Sequence, residues 1–110
     1  MFKVVADQTF THTVTVMTPI DNGHRTETFK ATFRLIDTDE ADTFDLNTRD
    51  GTTAFLKRTI VDLGDLVGDD KQPIAYSDEL RDQLLKLPHV RIGLAQAYFS
   101  AVAKDPKSKN

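Results

Sequence analysis

Apolar and polar residues alternate with a period of two over two stretches of the chain. Phe10, His12, Val14 and Val16 interleave with Thr9, Thr11, Thr13 and Thr15. Phe29, Ala31, Phe33 and Leu35 interleave with Thr28, Lys30, Thr32 and Arg34. Such alternation predicts two strands, each with one buried face. Asn22-Gly23 lies between them, a pair suited to a type I′ hairpin turn because both central residues there need positive φ. With that pair at the turn centre, Val16 faces Phe29, Val14 faces Ala31, His12 faces Phe33 and Phe10 faces Leu35. All the apolar residues then share one face, and a one-residue slip would turn them outward. A two-stranded hairpin is marginal in water, so the rest of the chain must cover that face. Residues 2–7 read as a short extended piece, with Phe2 and Val4 on one side, that could add a strand.

After the hairpin the period changes to that of helices. Asp37 followed by Glu40 has capping-box spacing, with Ala41 and Phe44 facing inward from a short first helix. Asp50-Gly51 reads as a break. A second helix is predicted over about Thr52–Asp62, where Phe55, Leu56, Thr59, Ile60 and Leu63 recur at helical spacing opposite Lys57 and Arg58. Gly64 stops it, and residues 64–76 form a loop with a brief extended stretch at Leu66-Val67. Ser77 is an N-cap with Asp78 and Glu79 in the first turn, and Leu80, Leu84 and Leu87 follow as a stripe with Leu85 beside it. Pro88 ends that helix and can open the next, over about His89–Ala103. This last helix has a narrow polar stripe, Gly93, Gln96 and Ser100. Leu94, Ala97, Tyr98 and Ala101 form one apolar line, and Ile92, Ala95, Phe99 and Val102 another. A helix apolar nearly all round is buried on more than one side. One face can cover the hairpin; the other can pack on the Leu80–Leu87 helix or on another subunit. The expected architecture is α+β: one domain over residues 1–103, with an N-terminal antiparallel hairpin and about four helices, and a disordered polar tail over 104–110.

At 110 residues with 39% hydrophobic composition, the chain suits a single core. The net charge of −3 argues against a nucleic-acid domain, which carries a basic footprint. No apolar run approaches the length of a membrane span, and Met1–Val5 is too short and too soon polar for a signal peptide. Cysteine is absent, which excludes disulfides, thiol catalysis and cysteine-based zinc sites and makes a cytosolic location the simple reading.

Candidate chemistry is sparse. His12, His24 and His89 fall in a strand, a turn and a helix start, with no pair at metal-binding helical spacing; His12 is expected to be a partly buried strand residue. Asp62, Asp65, Asp69 and Asp70 form the best acidic group, but the alternating ligands and closing glutamate of a calcium loop are missing. Lys30, Arg34, Lys57 and Arg58 make a modest basic patch without interleaved aromatics. Ser77 lacks a nucleophile-elbow context, and no glycine-rich phosphate loop occurs. The residues therefore point to binding or assembly rather than catalysis, with no cofactor and no metal.

The order of features carries a resemblance. Phe10-x-x-x-Val14-x-Val16-x-x-Pro19 is followed by Thr28-Phe29-Lys30-Ala31-Thr32-Phe33, then Phe55-Leu56 through Val61. The loop Gly68-Asp69-Asp70-Lys71-Gln72-Pro73-Ile74-Ala75-Tyr76-Ser77 comes next, then Leu84-Leu85, Pro88-His89-Val90, Ala97-Tyr98-Phe99 and the ending Lys109-Asn110. Over nearly its whole length the chain resembles the tail assembly chaperones of long-tailed bacteriophages and prophages. It departs from them at Leu63-Gly64, where many carry Trp before the Gly, and at Lys71, where Gly is common. The resemblance implies a non-enzymatic protein of the host cytoplasm. Such a protein coats the apolar tape measure protein while the tail tube grows, is then displaced, and is absent from the mature virion. It implies self-association into rings or spirals, and a frameshifted longer form that recruits tail tube protein; Lys109-Asn110 is compatible with a slippery codon pair.

A chaperone of this kind needs an exposed apolar surface that accepts a helix without one fixed sequence. The candidates for partner binding or self-association are Phe55 and Leu56 on the second helix, or Ile92, Ala95, Phe99 and Val102 on the last. Two other classes fit the same sequence: a structural virion component such as a tail terminator or head–tail connector, and a small regulatory protein that binds a host factor.

Overall fold

In a computed structural model, which describes residues 1–103, strands β1 (Thr9–Ile20) and β2 (Gly23–Arg34) form the hairpin that the alternation predicts. Its register differs from the expected one by two residues. Val14 faces Phe29, His12 faces Ala31 and Phe10 faces Phe33, while Val16 faces Glu27. The two-residue turn is Asp21-Asn22, with Asn22 alone taking the left-handed conformation at φ 61°; Gly23 already belongs to β2 and has no positive φ. A shift of two leaves every side chain on its original face, so the apolar pattern cannot distinguish the two registers; only the turn can. Leu35 falls just past β2, where its N–H donates to the Gln8 carbonyl at 2.9 Å.

The third strand is not residues 2–7, which form no strand, but β3 (Ile60–Gly64), giving the antiparallel order β1-β2-β3. Helix α1 (Thr38–Ala41) and helix α2 (Arg49–Thr59) lie between β2 and β3. The Asp37 carboxylate accepts the Glu40 N–H at 2.9 Å, as its cap position predicts. Helix α2 starts three residues earlier than expected, because the Thr48 hydroxyl caps it by accepting the Gly51 N–H. Gly51 is therefore not a break. A Cβ there would stand 1.9 Å from the Asp45 carbonyl oxygen, so the glycine is required by a close approach of backbone.

Helix α2 also ends earlier than expected and runs straight into β3. Ile60 pairs with Phe33, Asp62 with Thr32 and Leu63 with Ala31, leaving Val61 as an extra residue in a bulge. The bulge brings Ile60 and Leu63 to one face although they are three apart. That is helical spacing, which explains why periodicity extends the helix too far. The β-branched run Thr59-Ile60-Val61 favours the strand.

Helix α3 (Asp78–Leu85) is capped by the Ser77 hydroxyl, which accepts the Leu80 N–H at 3.0 Å, and α4 (Pro88–Val102) begins at the proline. Helix α4 packs chiefly along β1 and runs antiparallel to it. Its first residues lie beside Met17 and Pro19, and its end lies beside Gln8 and Phe10. Gly93 lies within the contact: a Cβ there would be 2.7 Å from the Thr15 carbonyl oxygen. The expectation of Gly93 on a polar stripe is thus corrected, while Gln96 and Ser100 are exposed.

The core joins Val14, Val16, Phe29 and Phe33 of the hairpin to Phe55, Leu56, Leu63, Leu85, Leu94 and Tyr98. Tyr98 is its aromatic centre, with its ring centroid 5.0 Å from Phe55 and 5.4 Å from Phe33, both edge-on. The Tyr98 hydroxyl accepts the Ile36 N–H at 3.4 Å, so its polar end is not stranded. Thr59 is the buried polar residue, and its hydroxyl donates to the Phe55 carbonyl. In the loop, Val67 bridges Pro73, and Lys71 adopts φ 61°. Left-handed backbone of this kind favours glycine. The tail expected to be disordered, 104–110, lies outside the described residues.

Candidate functional site: the outer face of the last helix

The residues proposed from sequence as a partner surface separate cleanly. Phe55 and Leu56 are fully buried and offer nothing to a partner. Ile92, Phe99 and Val102 lie away from the buried line of α4, with 54%, 37% and 46% of their surface exposed, and Ala95 is half-buried between them. The division follows from the helix itself. Val90, Gly93, Leu94 and Tyr98 recur at i, i+3, i+4 and i+8 and face inward; the other line must face out unless something else covers it. Helix α3 does not cover it: Ile92, Phe99 and Val102 stay open to solvent.

Two residues not foreseen from sequence widen the stripe. Leu35, just past β2, shares a shallow pocket of about 270 Å³ with Phe99 and Val102. Leu46, before α2, shares one of about 380 Å³ with Ile92 and Ala95. Both leucines are exposed. The alternation assigns Leu35 to the hairpin face rather than to this stripe, and no local pattern marks Leu46, because both lie in connections of the fold. Phe99 is held rather than loose: its ring stacks on Phe55 with centroids 5.3 Å apart and planes 16° from parallel. It therefore joins the exposed stripe to the aromatic core.

A second apolar groove was also not foreseen. Met17 and Pro19 of β1 face Pro88 and Ile92 of α4 across a space of about 490 Å³, with His24 and His89 at its rim. It exists because the distal half of the hairpin projects past the body: Gly23–Thr28 are all exposed, as are Met17, Pro19 and Ile20. This arm is tied across its strands by the Thr18 hydroxyl donating to Glu27 at 2.7 Å. That bond, with help from the Arg25 charge, holds the Glu27 carboxyl below its ordinary value.

The remaining candidate groups are scattered. His12 is exposed, correcting the expectation of a partly buried residue, and stands edge-on to Phe10 at 5.6 Å. Among the described residues no three His, Asp or Glu side chains come together as a metal site. Asp70 serves the loop instead, accepting the Gln72 N–H at 3.0 Å. The basic patch is partly neutralised, since Arg58 pairs with Glu40 and Lys57 lies 3.8 Å from Asp82. Tyr76, whose phenol is pushed up by burial, lies far along the chain from Glu27 and touches Asp78 instead. No helix of the described residues is long and apolar enough to cross a membrane. Against known proteins, no family model matches the chain, and neither does a curated protein or a solved structure.

Proposed function

We propose that this chain is a phage tail assembly chaperone. It binds the apolar helical segments of a tape measure protein in the host cytoplasm, holds them soluble while the tail is built, and leaves before the virion is complete. The observation that carries this reading is the stripe Ile92–Phe99–Val102. These are large apolar side chains left exposed on a helix whose Val90, Gly93, Leu94 and Tyr98 are buried, and they are flanked by Leu35 and Leu46. Exposed contiguous apolar surface of this kind is a binding surface. A flat, unkeyed stripe beside shallow pockets suits an amphipathic helix, which needs apolar anchors at i, i+3 and i+4 rather than one fixed sequence. The order of motifs along the chain supports the same reading. The chaperone works without catalysis, self-associates into a ring or spiral, and cooperates with a frameshifted longer form that engages tail tube protein.

Co-expression with the tape measure protein encoded beside the gene tests the proposal. The expected result is a soluble tape measure protein that co-purifies with this chain, and loss of that rescue when Ile92 is replaced by Glu. A tape measure protein that stays insoluble and unbound overturns the reading, and so does recovery of this chain from purified virions.

A further inference from the structure

The stripe on α4 is apolar along its length, but its two ends differ in charge. Beside Ile92 and Ala95, the charged residues lining the shallow pocket are Arg49 and Arg91. Beside Phe99 and Val102, the charged residue lining the pocket is Asp37. The Arg91 guanidinium donates to the Leu85 carbonyl at 3.1 Å and forms no ion pair among the described residues. Arg49 leans on Asp50, 3.5 Å away, which does not line the pocket. At the other end Asp39 and Asp42 follow Asp37, both exposed, while Glu40 is taken by Arg58. The backbone adds to the same polarity. A helix carries partial positive charge at its N-terminus and partial negative charge at its C-terminus. Helices α2 and α3 offset the first with a hydroxyl cap and first-turn acids. Helix α4 has no side-chain cap, no acid in its first turn and no base in its last. Its positive end therefore coincides with Arg91, and its negative end with Asp37.

We infer that the stripe binds its amphipathic helix antiparallel to α4, with basic residues at that helix's N-terminal end over Asp37 and acidic residues at its C-terminal end beside Arg91. The helical partner is that of the chaperone reading, on which this inference rests; its direction and charge pattern are new. In the antiparallel direction the two helix dipoles oppose each other, and each end of the partner meets the opposite sign. In the parallel direction both interactions become repulsive. The stripe from Ile92 to Val102 is about 15 Å long, so a partner helix of about three turns reaches both charges. Ile92 also lines the groove under Met17 and Pro19, so the C-terminal end of the partner points toward the hairpin arm. The apolar side chains supply affinity, while Asp37 and Arg91 select direction. Both charges lie at the surface, so the selection weakens as salt screens them.

Two synthetic peptides with blocked ends test the direction. Both repeat leucine at helical spacing; one has lysines in its first turn and glutamates in its last, and the other has them exchanged. A nitroxide on a peptide cysteine marks one end or the other, and the full chain, which has no cysteine, is observed by NMR. With the lysine-first peptide, an N-terminal nitroxide is expected to broaden the amides of Thr38–Ala41, and a C-terminal one those of residues 46–49. The ratio of the two peptide affinities is then compared between the natural chain and Asp37→Asn/Arg91→Gln, which cancels any difference in helicity between the free peptides. Asparagine still caps a helix, so Tm should hold. The preference for the lysine-first peptide is expected to fall several-fold in the variant at low ionic strength. Reversed broadening, equal broadening of both regions by either label, or a ratio unchanged by the variant overturns the inference and leaves a helix-binding stripe in place. Failure of both peptides to bind overturns the inference together with the helix-binding surface of the chaperone reading.

Discussion

Leu56 on α2 and Phe99 on α4 occupy helices whose apolar positions look alike in sequence, yet they end in opposite surroundings. Leu56 is fully buried in the core. Phe99 keeps about a third of its surface in water, with one ring face on Phe55. The difference arises from what each helix meets. Helix α2 packs against β2, α3 and α4 together, with Phe55 against Tyr98 and Phe99, so its only apolar face is covered. Helix α4 lies along β1, where Gly93 lets it approach the Thr15 carbonyl. That contact satisfies one apolar line and leaves the other only partly covered. An apolar helix face is thus a request for a partner, and the tertiary structure decides whether the partner is inside the chain.

Three substitutions test this contrast. The largest effect is expected for Leu56→Ala, which removes a fully buried side chain and should lower stability by about 3–4 kcal/mol in urea unfolding, as core truncations do. A loss below about 1 kcal/mol would show that α2 is not core. Gly93→Val comes next. Its side chain would strike the Thr15 carbonyl and lift α4 from β1, at a cost of about 2 kcal/mol from overpacking, read as a lowered Tm. An unchanged Tm would mean the helix sits farther from the strand. The smallest effect is expected for Phe99→Glu. It gives up an aromatic stack at a cost of about 1 kcal/mol and should keep cooperative unfolding while weakening self-association. Complete loss of cooperative unfolding would place Phe99 with Leu56 as plain core and abolish the distinction.

Much of the fold is legible wherever the signal is local. The hairpin follows from strict alternation, and the caps at Asp37 and Ser77 follow from side chains that accept the free N–H groups of the first helical turn. Pro88 marks the start of α4 because a proline there forfeits no helical bond. Misreadings occur where a local rule has two solutions. Asp50-Gly51 resembles a break until the Asp45 carbonyl is seen to occupy the space of a Cβ. Ile60 and Leu63 keep helical spacing, but a bulge makes the same spacing serve a strand. The candidate surface was half legible: the Ile92–Val102 line could be drawn from the sequence, whereas Leu35 and Leu46 join it only through folding.

By itself the sequence determined which segments alternate and where the caps Asp37 and Ser77 lie, because these depend on side-chain chemistry and short-range backbone geometry. It also determined that no cysteine chemistry is available. Only the tertiary structure decided the hairpin register, the third strand and the choice between two apolar helices for the open face. Register shifts by two conserve every facing, and burial depends on neighbours distant in the chain, so no local pattern could choose among them.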